Sequence, residues 1–431
     1  MSRFKELQKN LFGGTTSNAR QFTMIFTLVF ALVLFQILTD GLTLNSGNLI
    51  ILTQQYAYIS VLSIGMLMVI VAGHIDLSVG SIAAFVGIIV AKAIKSGLPW
   101  ELGIVLGLVV GAIIGAWQGF WVAYIGVPAF IVTLAGMLLF RGGNQFIGSA
   151  ETIQVPDGFK QIGAGYLPEW GPNTGYNNST LVLGLLAALA VIWRELRARR
   201  TRREMEAEPI PAWITILRLV IMVGVIVFAT LRYAGGRVGT SFPISGCILA
   251  ALVIAYSFYT RNTPGGRHIY AVGGNARAAE LSGVKLRRVN FFVMMNMSVL
   301  AALAGMIFVA RSGASGPQDG NGWELDAIAA VFVGGAAVSG GIGTIGGSIV
   351  GGLVMAVLNN GLQLIGVQTD RVQIIKGLFL LAAVALDVYN KSQGRFSIIG
   401  SIMRPFRRQE LTEPDAPNQA GQESIKTPVA G

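Results

Sequence analysis

The chain of 431 residues is 53% hydrophobic and only 12% charged, about half the charge of an ordinary water-soluble domain, which excludes a soluble globular fold and indicates an integral membrane protein. Its formal charge of +11 is gathered into clusters without the interleaved aromatics and folded module of a nucleic-acid reader, so membrane orientation is its meaning. One cysteine, Cys247, and two histidines build neither a disulfide framework nor a transition-metal site.

Residues 1–21 are polar and basic and precede an apolar run at 22–39. That run is too long for a signal-peptide core and no small-x-small cleavage site follows it, so it reads as a retained first span. Further apolar runs lie at 49–72, 77–94, 102–125, 127–140, 181–193, 213–231, 242–259, 291–310, 326–338, 345–365 and 371–389. Some are shorter than the roughly 20 residues a perpendicular helix needs, and 127–140 reads either as a tilted span or as a re-entrant helix. Counting it gives an all-α polytopic bundle of about twelve transmembrane helices over residues 22–390.

Cytoplasmic loops carry the excess Lys and Arg. Four clusters bear on orientation: Arg3, Lys5, Lys9 and Arg20; Arg194, Arg197, Arg199, Arg200, Arg202 and Arg203; Arg261, Arg267, Arg277, Lys285, Arg287 and Arg288; and Lys391, Arg395, Arg404, Arg407 and Arg408. The order of spans puts all of them on one side, with both termini cytoplasmic, only if 127–140 crosses. Segments 141–179 and 311–325 then face outward. The tail at 391–431 is apolar-poor, and its composition predicts disorder after about residue 409.

Glycine recurs every fourth position at Gly107, Gly111, Gly115 and Gly119 and again at Gly343, Gly347 and Gly351. Such ladders let helix backbones approach closely, for packing or for a moving interface. Gly341, Gly343 and Gly346 spell G-x-G-x-x-G, but no strand precedes them and no acidic residue follows at the required distance. The sequence has no P-loop, so ATP work must come from a partner. Gly313, Ala314, Ser315 and Gly316 would suit an intramembrane serine nucleophile only beside a histidine base. His74 and His268 fall on the opposite side, which leaves a glycine-rich turn.

Ion-driven carriers bury ionisable groups along their path, and here few lie within spans. Asp76 and Asp326 each precede an apolar run, where a helix N-cap belongs. Lys376 can snorkel and Asp387 lies near a span end. The neutral polar residues Gln54, Gln55, Asn296, Asn359, Asn360 and Gln363 remain. These amides either hydrogen-bond across helices or line a wet path for a hydroxyl-rich solute. With Asp76, residues Gln54, Gln55, Asn359 and Asn360 are the candidates for such a path.

The segment 265–284, GGRHIYAVGGNARAAELSGV, is a polar, basic island between apolar runs. Gly265, Gly266, Gly273, Gly274 and Gly283 frame a small amphipathic helix from Asn275 to Ser282, with Ala278, Ala279 and Leu281 available to dock. That pattern suits either a lever held by a partner or a plain inter-helix turn.

Residues 73–81 (GHIDLSVGS), 128–143 (PAFIVTLAGMLLFRGG), the island, and 324–366 (ELDAIAAVFVGGAAVSGGIGTIGGSIVGGLVMAVLNNGLQLIG) together resemble the permease subunits of bacterial ABC sugar importers of the ribose and xylose type. The matches run in family order over about residues 45–390. An arginine-rich loop and span pair at about 194–233, with QIGAGYLP at 161–168, is similar to the xylose and multiple-monosaccharide branch, whereas smaller members resemble a ten-span core like that of the vitamin B12 importer. His74 departs from the Gly or Glu usual before the Ile-Asp-Leu-Ser run. The resemblance implies an inner-membrane importer of two permease copies, two cytoplasmic ATPase subunits and a periplasmic sugar-binding protein. In it, this chain performs no covalent chemistry, binds no cofactor and couples to the ATPase through the loop 261–288.

Overall fold

The computed structural model describes residues 16–172, 174–205, 212–236 and 239–392. The basic residues Arg3, Lys5 and Lys9 and the tail from 393 onward, with the disorder expected of it, lie outside the described residues. The chain begins with α1 (Thr16–Leu38), α2 (Ser46–Val71), α3 (Val79–Lys95) and α4 (Trp100–Phe120). A π-helical turn, Trp121–Ile125, extends α4 and ends at Gly126 in the left-handed region (φ 85), after which Pro128 leads into α5 (Ala129–Ile147). Strand β1 (Ile153–Gln154) and helix α6 (Asp157–Ala164) precede α7 (Asn178–Glu204), α8 (Ala212–Ala234) and α9 (Ile244–Asn262). The polar island forms α10 (Pro264–Gly274) and α11 (Ala276–Leu281). There follow α12 (Leu286–Ser312), β2 (Ala314–Ser315), α13 (Trp323–Val333), α14 (Ile345–Leu364) and α15 (Thr369–Ser392).

Among the described residues, eight helices are long and apolar enough to cross a membrane: α2, α4 with its π turn, α5, α7, α8, α9, α12 and α14. The run at 127–140 is thus part of a 19-residue helix, and the run at 181–193 part of a 27-residue one that carries the arginine cluster on its last turns. The run at 77–94 yields a 17-residue helix, and 326–338 an 11-residue one.

Burial separates a centre from a rim. The most apolar window of α2 is 89% buried, those of α7 and α8 only 11%. Helix α12 packs on α2, α3 and α4, and α14 packs on α13, α2 and α1. Helices α7 and α8 pack on each other at the rim, anchored where the hydroxyls of Thr53 on α2 and Tyr233 on α8 bond at 2.5 Å. Outward-facing Ile113, Leu138, Leu185 and Val220 suit a hydrocarbon solvent, in which only a helix with its backbone bonds satisfied internally is stable.

Both glycine ladders lie at close helix contacts. A β-carbon on Gly111 would lie 2.6 Å from Cβ of Ala302, and one on Gly115 2.6 Å from Cα of Met295, both on α12. On α14, Gly347 and Gly351 face the carbonyls of Gly334 and Ala330 with no room for a side chain. Lipid gives helices no hydrophobic drive to associate, so this proximity is what makes their attraction possible.

Three expectations are corrected. Asp76 does not cap α3: Ser78 holds that position, and Asp76, two residues earlier, accepts from the Ser78 amide (2.8 Å) and hydroxyl (2.6 Å). Asp326 lies inside the first turn of α13 and pairs with Lys376 at 2.5 Å, so Lys376 does not snorkel away. The turn expected at 313–316 holds strand β2, which pairs antiparallel with β1, Ile153 opposite Ser315.

Candidate functional site

The island builds its site from capped helices. Thr263 accepts the Gly266 amide at 3.2 Å and Pro264 takes the first helical position, where its missing N–H costs nothing. Asn275 then caps α11 by accepting the Ala278 amide at 3.0 Å, and Ser282 bonds back to the Ala278 carbonyl at 2.9 Å. Gly283 closes the segment in the left-handed region (φ 87). The expected helix at 275–282 is present with its two end residues as caps; α10 before it is an addition. Gly265 and Gly266 abut Tyr259 and Thr260 of α9.

Helix α10 rests on two helix-to-helix connections, where helical structure breaks between α2 and α3 at 72–78 and between α13 and α14 at 334–344. The Gly341 amide donates to the Val71 carbonyl at 2.8 Å, tying one break to the other. Gly340 (φ 78) lies against Gly73 and Gly273, Gly341 (φ 71) against Gly274, and Gly273 against the Val71 carbonyl. The Tyr270 hydroxyl adds a bond to the Gly343 carbonyl at 2.8 Å. Three backbones therefore meet at a contact that any side chain would wedge apart. In α11, Ala279 is buried against the bundle, whereas Ala278 is exposed and Leu281 is 84% exposed.

His74 lies beside this junction, in the break after α2. Burial lowers its pKa, opposed by the Asn290 side chain beside it. Asp76 is fully buried, and the bonds it accepts from Ser78 extend through Gln118 (2.8 Å) toward Ser298 (3.4 Å). That network joins the start of α3 to α4 and α12.

At the other end of the bundle, strand pairing joins the segments 141–179 and 311–325. The Asn144 side chain donates to the carbonyls of Gly316 (3.2 Å) and Pro317 (3.3 Å), and Val155 donates to the Gly313 carbonyl at 3.0 Å. Burial pushes the Asp319 carboxyl up, opposed by its bond from the Gly316 amide.

The polar residues proposed for a path separate by environment. Gln54 donates to the Ala164 carbonyl of α6 at 2.9 Å. Asn360 and Asn48 bond reciprocally at 2.9 and 3.0 Å, locking α14 to α2. Gln55 is half-buried. Asn359 accepts from Gln363 at 3.2 Å and faces the Tyr56 hydroxyl, which lacks a hydrogen bond of regular geometry. Sequence reading missed Tyr56 and the Asp326–Lys376 pair; ionisable residues on two neighbouring apolar runs were the available signal.

The family model for the branched-chain amino acid transport system / permease component matches residues 48–384. The xylose transport system permease protein XylH of Haemophilus influenzae is 36% identical over 379 residues, 87% of this chain and 98% of that protein. Its counterpart in Escherichia coli is 37% identical over 383 residues, 88% of this chain and 95% of that protein. The ribose import permease protein RbsC of Bacillus subtilis is 33% identical over 383 residues, 87% of this chain and 94% of that protein. No solved structure matches the chain. With a family model over most of its length and full-length relatives above 30% identity, the chain belongs to the branched-chain amino acid transport system / permease component family.

Proposed function

We propose that the chain is the permease subunit of an ATP-binding cassette importer for monosaccharides, xylose or several sugars, in the bacterial inner membrane. Two copies form the path, separate ATPase subunits drive it, and a periplasmic binding protein delivers the sugar. The chain itself binds no cofactor. In this reading about twelve helices cross, including α1 and α15 and the shorter α3 and α13, around a core like that of the vitamin B12 importer, with α7 and α8 added at its rim. Both termini, the arginine run and the island are cytoplasmic, as the distribution of basic residues favours.

The observation that carries the mechanism is the junction of α10 with the two helix breaks. An ATPase holding α11 through Leu281 and Ala278 moves α10, and α10 has no slack against Val71 and Gly341, so both breaks move with it. Discrimination among sugars rests largely with the binding protein. The strand-paired segments at the opposite end offer its docking surface.

A photo-crosslinker placed at position 281 of the assembled importer tests this. Capture of the ATPase subunit is the expected result, with a probe at Trp170 capturing the binding protein instead. Labelling of position 281 from the periplasmic side overturns the orientation and the coupling role together. The alternative, an ion-coupled secondary sugar transporter, draws on the Asp326–Lys376 pair as a relay, and ion-driven uptake by the chain alone would favour it.

A further inference from the structure

Four helices, with α13 and α14 packed on each other and each on both α2 and α15, place one polar side chain apiece in the same part of the bundle: Tyr56 on α2, Asp326 on α13, Asn359 on α14 and Lys376 on α15. Asp326 and Lys376 pair at 2.5 Å and keep side-chain exposures of 18% and 19%, so the pair borders accessible space. The Tyr56 hydroxyl is buried beside the Asn359 amide, feels the charge of Asp326 and lacks a hydrogen bond of regular geometry. A buried hydroxyl left open beside an amide and a reachable ion pair is costly as architecture alone. Ionisable residues inside membrane bundles characteristically mark substrate pathways.

We infer that Tyr56, Asn359 and the Asp326–Lys376 pair contact the translocated solute, binding the vicinal hydroxyls of a monosaccharide as it passes. This rests on the importer reading above and deepens it. The chemistry fits a polyol: the carboxylate accepts from sugar hydroxyls, the ammonium donates to them, and the amide and phenol each do both. No group needs to change its charge as the sugar passes. The first turn of α13 is held for this task by Trp323, whose ring lies 4.5 Å from those of Tyr58 and Phe308. The sequence reading had placed Asn359 on the path without these partners.

The test uses the whole importer in proteoliposomes, with labelled xylose as the probe, and reads sugar delivered per ATP hydrolysed alongside binding-protein-stimulated ATPase activity. Tyr56→Phe removes only the hydroxyl and Asn359→Leu keeps the volume. Each is expected to lower sugar delivered per ATP about fivefold, the worth of one hydrogen bond, with ATPase activity unchanged. The exchange Asp326→Lys with Lys376→Asp preserves an ion pair, and import by this variant is expected to stay low. Wild-type sugar per ATP in Tyr56→Phe and Asn359→Leu overturns the inference, as does full import by the exchanged pair, which would make the pair structural. Loss of ATPase activity and thermal stability together with import also overturns it. A wild-type assembly that takes up no sugar with ATP fails earlier, and it is the importer reading that then falls.

Discussion

Gly273 lies with its α-carbon against the backbone carbonyl of Val71, leaving no room for even a methyl group between α10 and the end of α2. Its neighbour Gly274 has no other atom within 4 Å of where a β-carbon would stand. Adjacent glycines thus separate two roles. Gly273→Ala should displace α10, lower the thermal midpoint in detergent and abolish uptake, because overpacking against backbone costs about 1–3 kcal/mol or more. Gly274→Ala should leave the midpoint unchanged while lowering uptake per ATP through its exposed face. Equal midpoints for the two variants would contradict the junction.

The α4 ladder is a packing device, and its cost is readable. Gly111→Ala and Gly115→Ala, each meeting α12 at 2.6 Å, should destabilise the solubilised protein by about 1–3 kcal/mol. Gly224 on the rim helix α8 has no other atom within 4 Å of where a β-carbon would stand, so Gly224→Ala should be neutral or slightly stabilising, alanine being the better helix former. Thermal unfolding of the three variants side by side distinguishes packing from propensity.

The reciprocal amide pair Asn48–Asn360 fastens α2 to α14. Asn360→Leu alone strands the Asn48 amide and should cost about 1–3 kcal/mol. Asn48→Leu with Asn360→Leu should recover part of that loss, leaving only the Thr43 carbonyl, which accepts from Asn48 at 2.9 Å, without its donor. A double-mutant cycle in which the two losses simply add would show that the pair does not act as a unit.

Acid should weaken the fold near the junction. Burial holds the pKa of His74 below its ordinary 6.5, so at mildly acidic pH the unfolded chain binds more protons than the folded one. Stability from keeping His74 neutral is complete above the unfolded pKa and falls as pH drops below about 6.5. The thermal midpoint should therefore decline between about pH 7.5 and 5.5, and His74→Gln should flatten that decline. An unchanged slope in His74→Gln would assign the acid sensitivity elsewhere.

What was legible in the sequence was what short-range pattern encodes. Glycines four apart in α4 and α14 announced close helix contact because in lipid little else can bring helices together. Asn275 and Ser282 announced the ends of α11, since capping residues act over one turn. Helix α10 was hidden because its four glycines argue against helix, while Thr263 and Pro264, which start it, lie just outside the glycine-framed stretch. The Asp326–Lys376 pair joins residues on separate helices, and β1 pairs with β2 far along the sequence. Such partnerships carry no local periodicity and exist only once the bundle has formed. The same holds for the meeting of Gly73, Gly273 and Gly341, whose glycines were visible singly and whose convergence was not.

The most direct measurement is accumulation of labelled xylose in proteoliposomes containing the permease, the ATPase subunit and the binding protein. The account predicts uptake only when ATP and all three components are present, unaffected by dissipating the proton gradient. Concentration of the sugar by the permease alone, driven by an ion gradient, would contradict it.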